Sequence, residues 1–228
     1  MPHFNKMSKI DKHNIPGIER RFHPGIVEER AADPEGFTHT GIASRVGTEY
    51  VMFETKERVY TEEIMSGAFD AVLKNDVRIL KNHDSNFILG RTQSQTGKVW
   101  VDPEGNLRYA WKNDPEISYA ADIARSIQRG DINQSSFGFA IDPKNNKWEE
   151  TTLPDGRTKI KRTMLKFNEL FDTSPVTFPA SPTTTVSQRD FETAYEEYRK
   201  QQHPPEDIFD ELEILKRQTA LNERLAGL

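Results

Sequence analysis

The stretch "RGDINQSSFGFAID", residues 129–142, alternates bulky and small side chains from Gln134 onward. Successive side chains of an extended strand point to opposite faces. Phe137, Phe139 and Ile141 therefore form one face, and Ser136, Gly138 and Ala140 the other. The first face belongs against a core. The second leaves room for a close neighbour, either a tightly packed helix or something that approaches the backbone, such as an extended peptide.

Just before this strand, "DPEISYAADIARSIQRG" carries the marks of a helix. Asp114 suits the N-cap, Pro115 the first helical position and Gly130 a left-handed exit, while Ile117, Ala120, Ala124 and Ile127 make one apolar stripe. Further upstream, "THTGIASRVGTEYVMFE" (38–54) reads as two strands around a turn, and "EEIMSGAFDAVLKND" spaces Phe69, Val72 and Leu73 at helical intervals. "VRIL" (77–80) is a short strand leading into "KNHDSNFILGRT" (81–92), and "KVWVDPEGNLRYAWK" is a hairpin around Asp102–Asn106. After the serine strand, "DPKNNKWEETTLPDGRTKIKRTML" predicts a second hairpin and "FNELFDTSPVTFPASP" a last strand. The fold class expected is α+β with a strand-rich middle.

The ends differ in character. Residues 1–17 mix basic and polar types with Pro2, Pro16 and Gly17 and no period, which predicts a flexible N-terminal arm ahead of a folded domain at 18–186. Residues 187–228 predict a charged helical tail. Phe191, Tyr195 and Tyr198 fall at i, i+4 and i+7, the pattern breaks at Pro204–Pro205, and a second helix follows. In that second helix Ile208, Leu212 and Leu215 lie on a different face from Ile214, Leu221 and Leu225, which suits a docking or coiled partner. The formal net charge is −5, and residues 190–228, with ten acids against five bases, carry all of it.

Such a balance gives no electrostatic reason to expect a nucleic-acid partner. No apolar run approaches the roughly 18 residues of a membrane span, and the first residues lack the apolar core of a secretory signal. The absence of cysteine excludes disulfides, thiolate nucleophiles and sulfur-based zinc sites. No His-x-x-x-His or Glu-x-x-His pair puts two metal ligands on one helix face, so neither a metal nor a cofactor is expected.

Three places can carry chemistry. Ser136 stands on the sparse face of its strand. Asp172 interrupts an apolar approach in "LFDTSPVTFPASP", where it is either exposed at a strand end or buried against a cationic or N–H donor. His83 has Asp84 as its neighbour, but adjacent side chains diverge, so an acid that orients the ring has to come from elsewhere. A hydroxyl, an imidazole and a carboxylate are the parts of a nucleophilic hydrolase. Their chain order, His, Ser, Asp, matches none of the familiar serine-hydrolase arrangements.

Taken in order, "SGAFDAVLKNDVRILKNHDSNFILGRT", "RGDINQSSFGFAI" and "NELFDTSPVTFPASP" resemble the prohead maturation proteases of tailed bacteriophages, over roughly residues 35–182. That family shows a GAF-containing helix, an NHD–LGRT block, a serine-plus-GF strand and an acidic-x-Ser-x-Val-x-x-Pro-Ala close. The resemblance implies a fold similar to herpesvirus assemblin, a mostly antiparallel β-barrel surrounded by helices. It also implies a serine endopeptidase that cuts scaffold or capsid protein segments, with self-cleavage left open, inside the assembling prohead in the host cytoplasm. The partners implied are the major capsid protein and the scaffold protein as substrates, with self-association left open and neither nucleic acid nor membrane involved.

Residue by residue, the family's histidine falls on His83, its nucleophile on Ser136 and its acid on Asp172. Ser135 is the competitor for the nucleophile, but it shares the face of Phe137 and Phe139. His39 is a minor alternative for the third member, because the related herpesvirus enzymes use a second histidine there. Oxyanion donors are mostly backbone groups, with Arg91, Gly90 and Gly138 as candidates. An ordinary imidazole titrates near pH 6.5, so activity is expected to rise through that range. The competing class is a non-catalytic scaffolding or capsid-core protein that works through its C-terminal helices.

Overall fold

The computed structural model of the protein describes residues 18–23, 27–177, 185–202 and 216–217. In chain order the elements are β1 (Glu19–His23), β2 (Val27–Glu29), β3 (His39–Ser44), β4 (Tyr50–Glu54), β5 (Arg58–Ile64), β6 (Arg78–Lys81), β7 (Asp84–Arg91), β8 (Gly97–Val101) and β9 (Leu107–Trp111). Helix α1 (Ser118–Gln128) follows, then β10 (Gln134–Ala140), β11 (Asn146–Thr152), β12 (Thr158–Met164), β13 (Glu169–Val176) and α2 (Thr185–Gln202).

The described strands pair as three sheets, in the orders β1-β10-β13-β6-β7, β11-β12-β5-β4 and β2-β3-β9-β8. Among the described strands, only β12 with β5 and β13 with β6 run parallel. The architecture is therefore mixed α+β and mostly antiparallel. None of these sheets closes on itself through the pairings of the described residues, so the closed barrel implied by the resemblance is not among them. The chain forms two compact units, Met1–Asp190 and Phe191–Leu228.

The core is built on the bulky face of β10. Phe137 and Phe139 are fully buried and pack with Phe69 and Phe167, with ring centroids between 4.7 and 5.9 Å apart. From α1, Ala120, Ile123 and Ile127 join the same core. The hairpins expected around Asp102–Asn106 and between β11 and β12 are present.

Several local expectations are corrected. The segment after β5, read as a helix around Phe69, Val72 and Leu73, is a run of turns in which Ala68, Asp70, Val72 and Asn75 each donate to the carbonyl three residues back. Their three-residue spacing still buries Phe69 and Val72. Helix α1 starts at Ser118, because the Asp114 side chain accepts from Glu116 N in a local turn and caps no helix. Its buried stripe is Ala120, Ile123 and Ile127, and Ile117 is exposed. The two strands of 38–54 belong to different sheets. The N-terminal arm at 1–17 and most of the second tail helix lie outside the described residues.

Candidate active site

β6 and β7 are joined by only two residues, Asn82 and His83, with Lys81 paired to Asp84 across the turn. Both have positive φ, 51° and 59°, which a type I′ hairpin turn demands at its two central positions. Asparagine tolerates that conformation, whereas for histidine it costs on the order of 1 kcal/mol. Four hydrogen bonds to the end of β13 hold the turn. Asn82 N donates to Pro175 O at 3.1 Å, Thr177 N to Asn82 Oδ1 at 2.8 Å, Asn82 Nδ2 to Thr177 Oγ1 at 3.3 Å, and His83 N to Ser174 Oγ at 3.2 Å.

The antiparallel ladder of β10 and β13 sets Ser136 opposite Ser174 and Gly138 opposite Asp172. Positions two apart share a face, so Ser136, Asp172 and Ser174 project together towards the His83 turn. The His83 ring bridges them, with Nδ1 at 2.5 Å from Asp172 Oδ1 and Nε2 at 2.6 Å from Ser136 Oγ. The three positions that the sequence singled out are thus brought into one hydrogen-bonded chain. Ser174 Oγ donates to Asp172 Oδ1 at 2.9 Å, which leaves the carboxylate with a second, fixed donor.

The site is largely withdrawn from water: the side chains of His83 and Asp172 are 10% and 7% exposed, and Ser136 is 0% exposed. Burial by itself pushes the Asp172 carboxyl up. Charge on the His83 ring, hydrogen bonds from His83 and Ser174, and the charge of Arg20 outweigh it and hold the group below the ordinary carboxylate value. An ionised Asp172 accepts only, so Nδ1 carries the proton and the Nε2 lone pair faces the Ser136 hydroxyl. Ser136 Oγ has a second neighbour, the Arg21 carbonyl of β1, at 3.0 Å.

The alternatives lie elsewhere. Ser135, on the core face of β10, meets Tyr109 Oη at 2.9 Å. The His39 ring stacks on Trp111 with centroids 4.8 Å apart, and its Nδ1 faces Thr38 Oγ1 at 2.9 Å. Asp84 Oδ1 accepts from Asn86 N and Nδ2 within the local turn. Of the candidate oxyanion groups, the Arg91 guanidinium is engaged by Asp76 and Gln93. Gly90 backs onto Thr96 and Trp111, and Gly138 faces Asp172. Among the described residues no group of three or more ionisable side chains is arranged to hold a metal ion.

Two groups that contact these residues, Ser174 and the Arg21 carbonyl, are not among those the sequence singles out. Ser174 lies inside the quoted "LFDTSPV" and shares the parity of Asp172, so alternation could have found it. The Arg21 carbonyl could not have been found, since a backbone group carries no side-chain signal and β1 has no clear period.

The family model described as caudovirus prohead serine protease matches residues 27–200. No curated protein and no solved structure matches the chain.

Proposed function

Because the chain belongs to the caudovirus prohead serine protease family, we propose that it is a serine endopeptidase with Ser136 as nucleophile, His83 as general base and acid, and Asp172 as the group that orients and stabilises the ring. The observation that carries the assignment is the single ring of His83, set between a hydroxyl at 2.6 Å and a carboxylate at 2.5 Å that come from positions 53 and 89 residues away in the chain.

In the proposed reaction, His83 Nε2 takes the Ser136 proton as Oγ bonds to the scissile carbonyl carbon. The imidazolium is stabilised by Asp172, which remains ionised. His83 then protonates the departing amine as the C–N bond breaks, leaving an acyl group on Oγ. Water, deprotonated by the same nitrogen, attacks that ester and restores the serine. The family supports a substrate in the scaffold or in a scaffold-like segment of the capsid protein, cut within the assembling prohead in the host cytoplasm. Similarity of the fold to herpesvirus assemblin, a mostly antiparallel β-barrel surrounded by helices, is part of the same proposal.

The test is incubation of the purified protein with co-expressed capsid and scaffold proteins, beside Ser136→Ala and a fluorophosphonate label. Cleavage and labelling that both vanish in Ser136→Ala are expected. Cleavage that persists in the variant removes the serine from the mechanism. A wild-type protein that neither cuts nor labels under any assembly condition favours the non-catalytic scaffold.

A further inference from the structure

A protease nucleophile has to meet a peptide carbonyl, yet Ser136 has no exposed surface. β1 runs antiparallel along the free side of β10, with Phe22 opposite Ser136 and Arg20 opposite Gly138. Its Arg21 carbonyl oxygen lies 3.0 Å from Ser136 Oγ, where it accepts a hydrogen bond. A hydroxyl has one proton to give. The Arg21 oxygen therefore competes with His83 Nε2 for it, and the neighbour of the nucleophile is a carbonyl oxygen and not a carbonyl carbon. The strand also lies before residue 27, where the family match begins.

Ions pin β1 in that place. Glu19 and Arg21, two apart and so on one face, enter a buried cluster with Glu62 and Arg162. Arg21 donates to Glu62 through Nε at 2.5 Å and Nη2 at 2.8 Å. Arg162 grips Glu19 with both terminal nitrogens, at 2.7 and 2.9 Å. Glu62 and Arg162 also pair with each other at 3.2 Å, Tyr50 Oη donates to Glu62, and Arg162 Nε donates to Asn146. When β1 leaves, the two charges that stay behind still have each other and these further partners. An uncompensated buried charge, the usual obstacle to breaking a buried ion pair, is thereby avoided.

We propose that the edge of β10 now held by β1 is the docking edge for substrate, that its occupant in turnover is an extended peptide segment added as a strand, and that β1 is an intramolecular occupant that has to leave first. This rests on Ser136 being the nucleophile. Strand addition takes its affinity from main-chain hydrogen bonds, which any extended peptide can offer. β1 differs from such a peptide in its Glu19 and Arg21 anchors, which fix it with its carbonyl oxygen on Ser136.

The experiment uses the full chain carrying Glu19→Ala, Arg21→Ala or both, with hydrogen exchange at residues 18–23 read beside the rate of fluorophosphonate labelling. Faster exchange in β1 is expected together with labelling at least ten times faster than wild type. The hexapeptide Ile18–His23, added in trans, is expected to slow the double variant again, and the same peptide with both anchors replaced by alanine is not. Labelling that stays at the wild-type rate while β1 exchanges freely overturns the proposal. So does a β1 that remains protected in the double variant, since the anchors then do not hold it. If Arg21→Ala fails to fold, Glu19→Ala, the less buried position, is read in the same way. Folded proteins that release β1 and yet never label at all, in wild type or variant, overturn the nucleophile assignment instead.

Discussion

Gly138 and Asp172 face each other across the β10–β13 ladder, and a Cβ placed at position 138 would lie 2.5 Å from Asp172 Oδ2. The missing side chain of one strand is thus the space in which the carboxylate of the other stands. The register slips immediately after Gly138, so the ladder is already irregular there. Overpacking of a tight site typically costs about 1–3 kcal/mol. Gly138→Ala is expected to destabilise the protein by that amount and to lower cleavage by about tenfold or more, because Asp172 has to move away from His83. Chemical denaturation together with a cleavage assay checks both.

Loss of the nucleophile or the base should be far more severe for turnover than for folding. Ser136→Ala and His83→Ala are each expected to reduce cleavage by about four or more orders of magnitude. Asp172→Asn belongs in the same range, since an amide does not fix the required tautomer or stabilise the imidazolium. Thermal melting should show that Ser136→Ala, which removes one small hydroxyl, remains folded with a stability change within about 2 kcal/mol.

Ser174 holds two partners at once, the Asp172 carboxylate and the backbone N–H of His83. Ser174→Ala leaves the half-buried His83 N–H without its acceptor and removes one of the two donors to Asp172 Oδ1, so about 1–3 kcal/mol of stability should be lost. Cleavage should fall with it, by roughly ten- to a hundredfold, about the same energy expressed in rate. Ser174→Thr keeps the hydroxyl and is expected to recover part of the activity. A Thr variant no better than Ala would show that the hydroxyl is not what matters.

Acid should weaken the fold in a defined window. Burial pushes the Glu19 carboxyl up, but the charges of Arg162 and Arg21, with their hydrogen bonds, hold it at about 2, against an ordinary value of 4.5. Asp172 is displaced in the same direction. A carboxyl whose folded value is depressed contributes stability that is fully present above its unfolded value and is lost as pH falls through its folded one. For Glu19 the shift corresponds to roughly 3 kcal/mol, lost between pH 4.5 and about 2. Urea midpoints should be flat with respect to this group above pH 5 and fall below it, and Glu19→Gln should flatten that fall.

The alternation of "SSFGFA" was legible in the sequence, and so was its consequence, since period-2 parity alone separates Ser135 on the core face from Ser136 on the other. The strand at 169–176 was legible as well, and the hairpins around Asp102–Asn106 and between β11 and β12 were legible from their polar turns. Helical spacing misled at Phe69, Val72 and Leu73, because three-residue repeats occur in successive turns as well as in helices. At Asp114 a good capping residue spent its side chain on a local turn. Asp172 illustrates the boundary best: the local sequence leans towards an exposed carboxylate at a strand end, and the tertiary structure buries it against His83.

Local sequence determined which faces of the strands are bulky, which are sparse, and hence which side chains were available for a site. Only the tertiary structure decided that a left-handed two-residue turn would carry His83 to the serine and the carboxylate, and that β1 would set its Arg21 carbonyl against Ser136. Parity is a property of covalent geometry and acts between neighbours in the chain. Register, and the company a buried charge keeps, depend on hydrogen bonds and packing between segments tens of residues apart, which no local pattern encodes.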